Sequence, residues 1–182
     1  FLILFPLLAG SIFRPQSAAD SLYVNFSAAL GYIGFALMAL ELALLSRVEG
    51  AASVYGLDAL QLFHKQIGIV AFCLVLAHPL VLVLAGYPWR MFLLAPDVPW
   101  SIAMGTLALL LVTVLIALSV WRKRLRLRYE VWQFTHSLLT IGLLAAAALH
   151  ILTAGRYAQM APMRWAMVGY LALLIGLFIY YR

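Results

Sequence analysis

Six apolar segments, each bounded by polar or helix-breaking residues, constrain this chain more than any other feature. They run over about 1–13, 22–45, 61–85, 101–121, 131–153 and 163–181. All but the first approach or exceed the ~20 residues that a helix needs to cross a bilayer. Between them stand Arg14-Pro15-Gln16-Ser17, Gly50-Ala51-Ala52-Ser53, Gly86-Tyr87-Pro88-Trp89-Arg90, the basic run after Trp121, and Gly155-Arg156 through Pro162. Composition points the same way: 66% of the residues are hydrophobic and only 10% are charged, against about 25% charged in an ordinary soluble domain. The twelve Lys/Arg and six Asp/Glu are too few to cover the water-facing surface of a soluble fold. The expectation is an all-α integral membrane protein, a six-transmembrane-helix bundle forming one domain over 1–182. Segment 1–13 is short and opens already apolar, so the first helix is expected to lack its beginning.

Short linkers make neighbouring spans antiparallel, and the cations orient them. Arg47, Lys65, Arg122, Lys123, Arg124, Arg126, Arg128 and Arg182 fall on one face, and Arg14, Arg90, Arg156 and Arg164 on the other. The richer face, with the 122–128 loop and the C-terminus, is expected in the cytoplasm of a cell-membrane protein. The net charge of +6 is then a topology signal, and no nucleic-acid partner is expected. Cys73 has no second cysteine with which to form an internal disulfide.

The four histidines carry the chemistry. His64 and His78 lie in the third segment and His136 and His150 in the fifth, fourteen residues apart in each case. Fourteen residues rise about 21 Å and turn just short of four full circles, so each pair lies within about 40° of one helix face. The third and fifth spans run in the same direction, so His64 can oppose His136 on the cytoplasmic side and His78 can oppose His150 on the outer side. Two neutral imidazoles on opposed helices suit the axial positions of a six-coordinate haem iron. Small residues beside them (Gly68 and Ala71, then Thr140, Ala146 and Ala147) would leave room for a flat macrocycle. The bundle is therefore expected to enclose two stacked haems.

At these residues the chain resembles the ferric reductase-like transmembrane domain of ferric reductases and NADPH oxidases. The matching stretches are His64-Lys65-Gln66-Ile67-Gly68 through His78-Pro79, and Arg128-Tyr129-Glu130-Val131-Trp132-Gln133-Phe134-Thr135-His136 with His150. The resemblance implies two b-type haems, with His64 and His136 ligating the inner iron and His78 and His150 the outer. It also implies electrons drawn from cytosolic NAD(P)H through FAD and delivered outside to ferric iron or dioxygen. No G-x-G-x-x-G phosphate loop occurs in the chain, so the flavin and nicotinamide dehydrogenase is expected beyond Arg182 or on a separate polypeptide. A membrane haem subunit of periplasmic methionine sulfoxide repair is also similar, but it commonly lacks the histidine that His64 would match.

Several cations have two readings. Lys65, beside His64, can snorkel to the interface or meet an inner haem propionate. Arg90 and Arg156, near the outer mouth, suit an outer propionate, an anionic acceptor or a lipid headgroup. The 122–128 loop can contact headgroups and dock a flavin domain. Glu41, a carboxylate within the second segment, is a functional candidate without an assigned role. Two other functions stay open on the sequence. One is a standalone cytochrome b that takes electrons from quinol or a flavoprotein for a periplasmic reductase. The other is a haem-free transporter relaying protons through the histidines and Glu41.

Overall fold

The computed structural model describes residues 22–45, 56–154 and 157–181. The first apolar segment, 1–13, lies outside these residues. Among the described residues the regular structure is helical throughout, with five long helices: α1 Leu22–Leu45, α2 Leu57–Leu84, α3 Trp100–Trp121, α4 Tyr129–Ala154 and α5 Ala161–Tyr181. Four stretches, Tyr23–Glu41 within α1 and the whole of α2, α3 and α4, are long and apolar enough to cross a membrane. The chain is a multi-pass membrane protein. Helix is the natural state of such segments, because hydrocarbon offers no partner to a backbone N–H or C=O and a helix satisfies both internally.

The linkers show why the helices stop where they do. After Leu84 the Ala85 N–H bonds the Val81 carbonyl at 3.0 Å, and Gly86 takes a positive φ of 95°. That left-handed step carries no Cβ penalty at glycine. A single 3-10 turn, Trp89–Phe92, follows. Pro99 then caps α3, whose first bonds run from the Ile102 and Ala103 N–H groups back to the Pro99 carbonyl. After Trp121 the chain reverses in a tight turn closed by Arg126 N–H to Lys123 and Leu127 N–H to Arg122, with Arg126 at φ 50°.

The helices form two compact units. One contains α1, α2 and α5. Glu41 meets His64 while Ser27 meets His78, so α1 and α2 are antiparallel. Tyr157 bonds Asn25 and packs edge-on against Tyr32, and Tyr170 donates to the Ala36 carbonyl, so α5 runs in the direction of α1. With neighbours on two sides, α1 buries a continuous run, Phe35 to Ala39. The other unit is the α3–α4 hairpin, where Ser101 meets His150 and Ser119 meets His136. Its buried residues include Ala108 and Val112 on α3 and Leu143, Ala146, Ala147 and Ile151 on α4.

Close packing of α1 on α2 depends on one missing side chain. A Cβ at Gly34 would lie 2.6 Å from Val75 Cγ2 and 3.3 Å from the Ala71 carbonyl oxygen. Gly34→Val should therefore force the helices apart at a cost of about 1–3 kcal/mol, lowering the thermal unfolding midpoint in detergent. Adding Val75→Ala should restore part of the loss. An unchanged midpoint in Gly34→Val would contradict this packing.

A histidine-bearing pair of hairpins

The four histidines sit on the second helix of their hairpins, His64 and His78 on α2 and His136 and His150 on α4. In every case Nδ1 is engaged by the helix alongside. His78 Nδ1 lies 2.8 Å from the Ser27 carbonyl oxygen and 2.9 Å from Ser27 Oγ. His150 Nδ1 lies 2.8 Å from the Ser101 carbonyl oxygen. His64 Nδ1 pairs with Glu41 Oε2, and His136 Nδ1 lies 3.2 Å from Ser119 Oγ.

These contacts fix more than position. A carbonyl oxygen only accepts, so His78 and His150 donate from Nδ1–H, and a neutral ring then carries its lone pair on Nε2. The Glu41 carboxylate likewise accepts from His64. An imidazole tied at one nitrogen by an acceptor is how metal-ligating histidines are ordinarily held, with tautomer and ring direction set by the second partner.

The supporting contacts differ between sites. Ser27 Oγ also donates to the His78 carbonyl at 2.7 Å. Thr140 donates to the His136 carbonyl at 2.8 Å, one turn back along its own helix. The Trp132 ring lies 5.2 Å from the His136 ring, and the Arg122 guanidinium sits 5.0 Å from the Trp132 ring and 5.1 Å from that of Tyr129. Trp132 Nε1 is buried without a hydrogen-bond partner among the described residues. The Arg122 guanidinium over the same ring places a cation near this donor.

The other expected site residues are placed as follows. Lys65 and Arg90 are exposed, Arg90 within the 3-10 turn, and Arg156 lies outside the described residues. A Cβ on Gly68 would meet nothing within 4 Å, so α2 is open one turn beyond His64. Ala71 does not share that opening. It is fully buried, and its carbonyl lies against Gly34. Glu41, without a role on sequence grounds, is the partner of His64. Ser27, Ser101 and Ser119 are functional candidates that sequence reasoning missed. Two of them act through a main-chain oxygen, which no side-chain motif announces. Among the described residues no three His, Cys, Asp or Glu side chains gather into a metal-binding cluster.

The model of one protein family, the ferric reductase like transmembrane component, matches residues 30–147. The chain belongs to this family. Membership makes it a membrane oxidoreductase component of the electron-transferring kind. The match takes in His64, His78 and His136 and ends three residues before His150. Comparison with curated proteins and with solved structures gives no match.

The Glu41–His64 contact sets the prediction for this site. Glu41 is 6% exposed, and Glu41→Leu leaves the His64 Nδ1–H without its acceptor, a loss of about 1–3 kcal/mol. Glu41→Gln keeps an acceptor oxygen and should cost less. Thermal unfolding of both variants checks the order. A Leu variant as stable as the parent would show that the contact contributes nothing.

Proposed function

We propose that this ferric reductase-like chain conducts electrons across the cell membrane through two b-type haems. His64 and His136 would be the axial ligands on the cytoplasmic side, and His78 and His150 those on the outer side. The observation that carries this reading is that all four histidines of the chain are tied through Nδ1 to a neighbouring helix. The donor set fits haem: four imidazoles at two positions on each of two helices, with acceptors at Nδ1 of His64, His78 and His150 turning Nε2 toward a ligand. The open helix surface at Gly68 and the buried indole donor of Trp132 fit as well. Haem, when bound, supplies the one-electron redox couple that no side chain here provides.

The chain's own residues hold, orient and insulate. Glu41 and Ser119 orient His64 and His136, and the Ser27 and Ser101 carbonyls orient His78 and His150. Trp132 Nε1 and Arg122 offer an indole N–H and a guanidinium to a propionate near His136, the inner-side role the sequence suggests for Lys65; Arg90 and Arg156 are the candidates for an outer propionate. The apolar faces of α2 and α4 keep water away, so that charge moves between fixed sites rather than through solvent.

The electron source in this reading is a cytosolic flavin and NAD(P)H dehydrogenase, either fused beyond Arg182 or a separate subunit. Its dock is the α3–α4 turn, where Lys123, Arg124, Arg126 and Arg128 are exposed and suit an acidic protein face or anionic headgroups. Ferric iron or dioxygen outside is the acceptor. The run of cations in this turn, set against the sparser ones elsewhere, supports a cytoplasmic placement.

Purified protein should show a reduced b-type spectrum with two haems per chain by pyridine haemochrome. His78→Ala, His150→Ala and the double variant should each retain one haem, and it should be the same one. His64→Ala and His136→Ala should retain the other. A colourless preparation overturns the reading. Loss of different haems from His78→Ala and His150→Ala overturns the pairing. Coupled to its dehydrogenase, the protein should reduce a ferric chelate or consume oxygen, and comparing the two rates identifies the acceptor.

A further inference from the structure

The two outer histidines are held in the same way, and in both cases a glycine makes it possible. In an α-helix the carbonyl of residue i already bonds the N–H of residue i+4. The side chain of i+4 stands beside that carbonyl and shields it from a lateral donor. Ser27 and Ser101 nonetheless each take a second bond, from His78 Nδ1 and His150 Nδ1, at the same 2.8 Å. Four residues on from each serine stands a glycine, Gly31 and Gly105.

Both glycines lie directly against the ring concerned. A Cβ on Gly105 would sit 2.8 Å from His150 Nδ1 and Cε1 and 3.0 Å from Cγ. One on Gly31 would sit 3.3 Å from His78 Nδ1 and 3.4 Å from Cγ. The local sequences agree as well: Ser27-Ala28-Ala29-Leu30-Gly31 and Ser101-Ile102-Ala103-Met104-Gly105 share serine, alanine and glycine at the same spacing. Each lies in the first half of the helix that precedes a histidine helix, Ser101 as the second residue of α3 and Ser27 as the sixth of α1. Glycine is costly within a helix, by about 1 kcal/mol relative to alanine, so its presence twice at the same contact needs a compensating reason.

We propose that Gly31 and Gly105 are positioning residues, each uncovering a serine carbonyl so that it can take the Nδ1–H of a histidine and aim that ring's Nε2. The chain thus carries one histidine seat twice, as Ser27/Gly31/His78 and as Ser101/Gly105/His150. The ligand role of these histidines rests on the function proposed above, whereas the seat itself rests on the carbonyl and glycine contacts. The serine side chain is dispensable in the second seat, where the carbonyl alone is used. In the first seat Ser27 Oγ adds a bond to the His78 main chain. The geometry also grades the two seats. Alanine at 105 displaces the His150 ring, whereas alanine at 31 only presses on His78.

Two readouts on the purified full chain test this. Histidine 15N resonances, assigned by single histidine variants, should place the proton of both outer rings on Nδ1. Gly105→Ala should abolish that signature for His150 and shift the low-spin EPR g-maximum of the haem that His150→Ala removes. Gly31→Ala should shift the His78 signals less, and Ser101→Ala should leave His150 as in the parent. The proposal falls if Gly105→Ala leaves both readouts unchanged, or if Ser101→Ala disturbs His150 as much as Gly105→Ala does. Should Gly105→Ala fail to fold, Gly105→Ala with His150→Ala decides. Recovery of folded protein puts the clash at the ring, and no recovery assigns the glycine to helix packing and overturns the seat. If the parent protein lacks haem, the proposed function fails, while the nitrogen resonances still decide the seat.

Discussion

Everything distinctive in this structure depends on a hydrogen bond that the bilayer cannot supply. An imidazole placed in hydrocarbon has an N–H with no water to receive it, and leaving its bond unmade costs about 1–3 kcal/mol. Each histidine here is therefore bonded through Nδ1 to the helix alongside. Where the partner can only accept, as at His64, His78 and His150, the same bond that removes the penalty also fixes the ring's tautomer and direction. The partners are drawn from what a helix can offer at close range: a carboxylate from Glu41 and main-chain oxygens from Ser27 and Ser101, which accept, and a hydroxyl from Ser119, which can accept or donate.

That requirement explains why the histidine helices come as hairpins. A neighbour running antiparallel passes both histidines of a pair, so one helix can serve two rings at different depths. In α1 the two partners, Ser27 and Glu41, are fourteen residues apart, the same separation as His78 and His64. In α3 the partners are Ser101 and Ser119, eighteen apart, one turn further. The longer reach accompanies a longer contact, 3.2 Å at His136 against 2.8 Å at His150. In the α1–α2 hairpin the spacing on one helix is thus matched by the spacing on the other, whereas in the α3–α4 hairpin the two differ by one turn.

Much of this was legible in the sequence, and what was not has a physical reason. Hydropathy and histidine spacing are properties of one segment at a time, so helical membrane spans and two histidine pairs could be read directly. Glu41 stood out as an intramembrane carboxylate, but its partner is 23 residues away on another helix, and its fourteen-residue spacing from Ser27 has meaning only once α1 is seen packed on α2. The serine carbonyls were invisible because every residue has one. Only the recurrence of Ser-x-Ala-x-Gly marks them, and that pattern has meaning only once a ring is seen lying on the glycine. Ala71 shows the opposite failure. It shares a helix face with the histidines, yet it is covered by α1 at Gly34, because a helix face has no fixed neighbour until packing assigns one.

Histidines held in this way would suit the proposed electron transfer for a further reason. Groups that change charge do least work when their surroundings do not have to rearrange, and sites built on helices with locked side chains keep their geometry better than sites on loops. A main-chain carbonyl is the most rigid acceptor available, since moving it means bending a helix. A glycine beneath the ring adds no rotatable atoms of its own. His78 and His150, which rest on such carbonyls, have little freedom to follow a change of charge, whereas Glu41 and Ser119 are side chains with torsions to spare. In the proposed conduit the stiffer pair lies toward the outside, where electrons leave the membrane. A fixed ring there would keep the final transfer governed by the acceptor's approach rather than by movement of the protein.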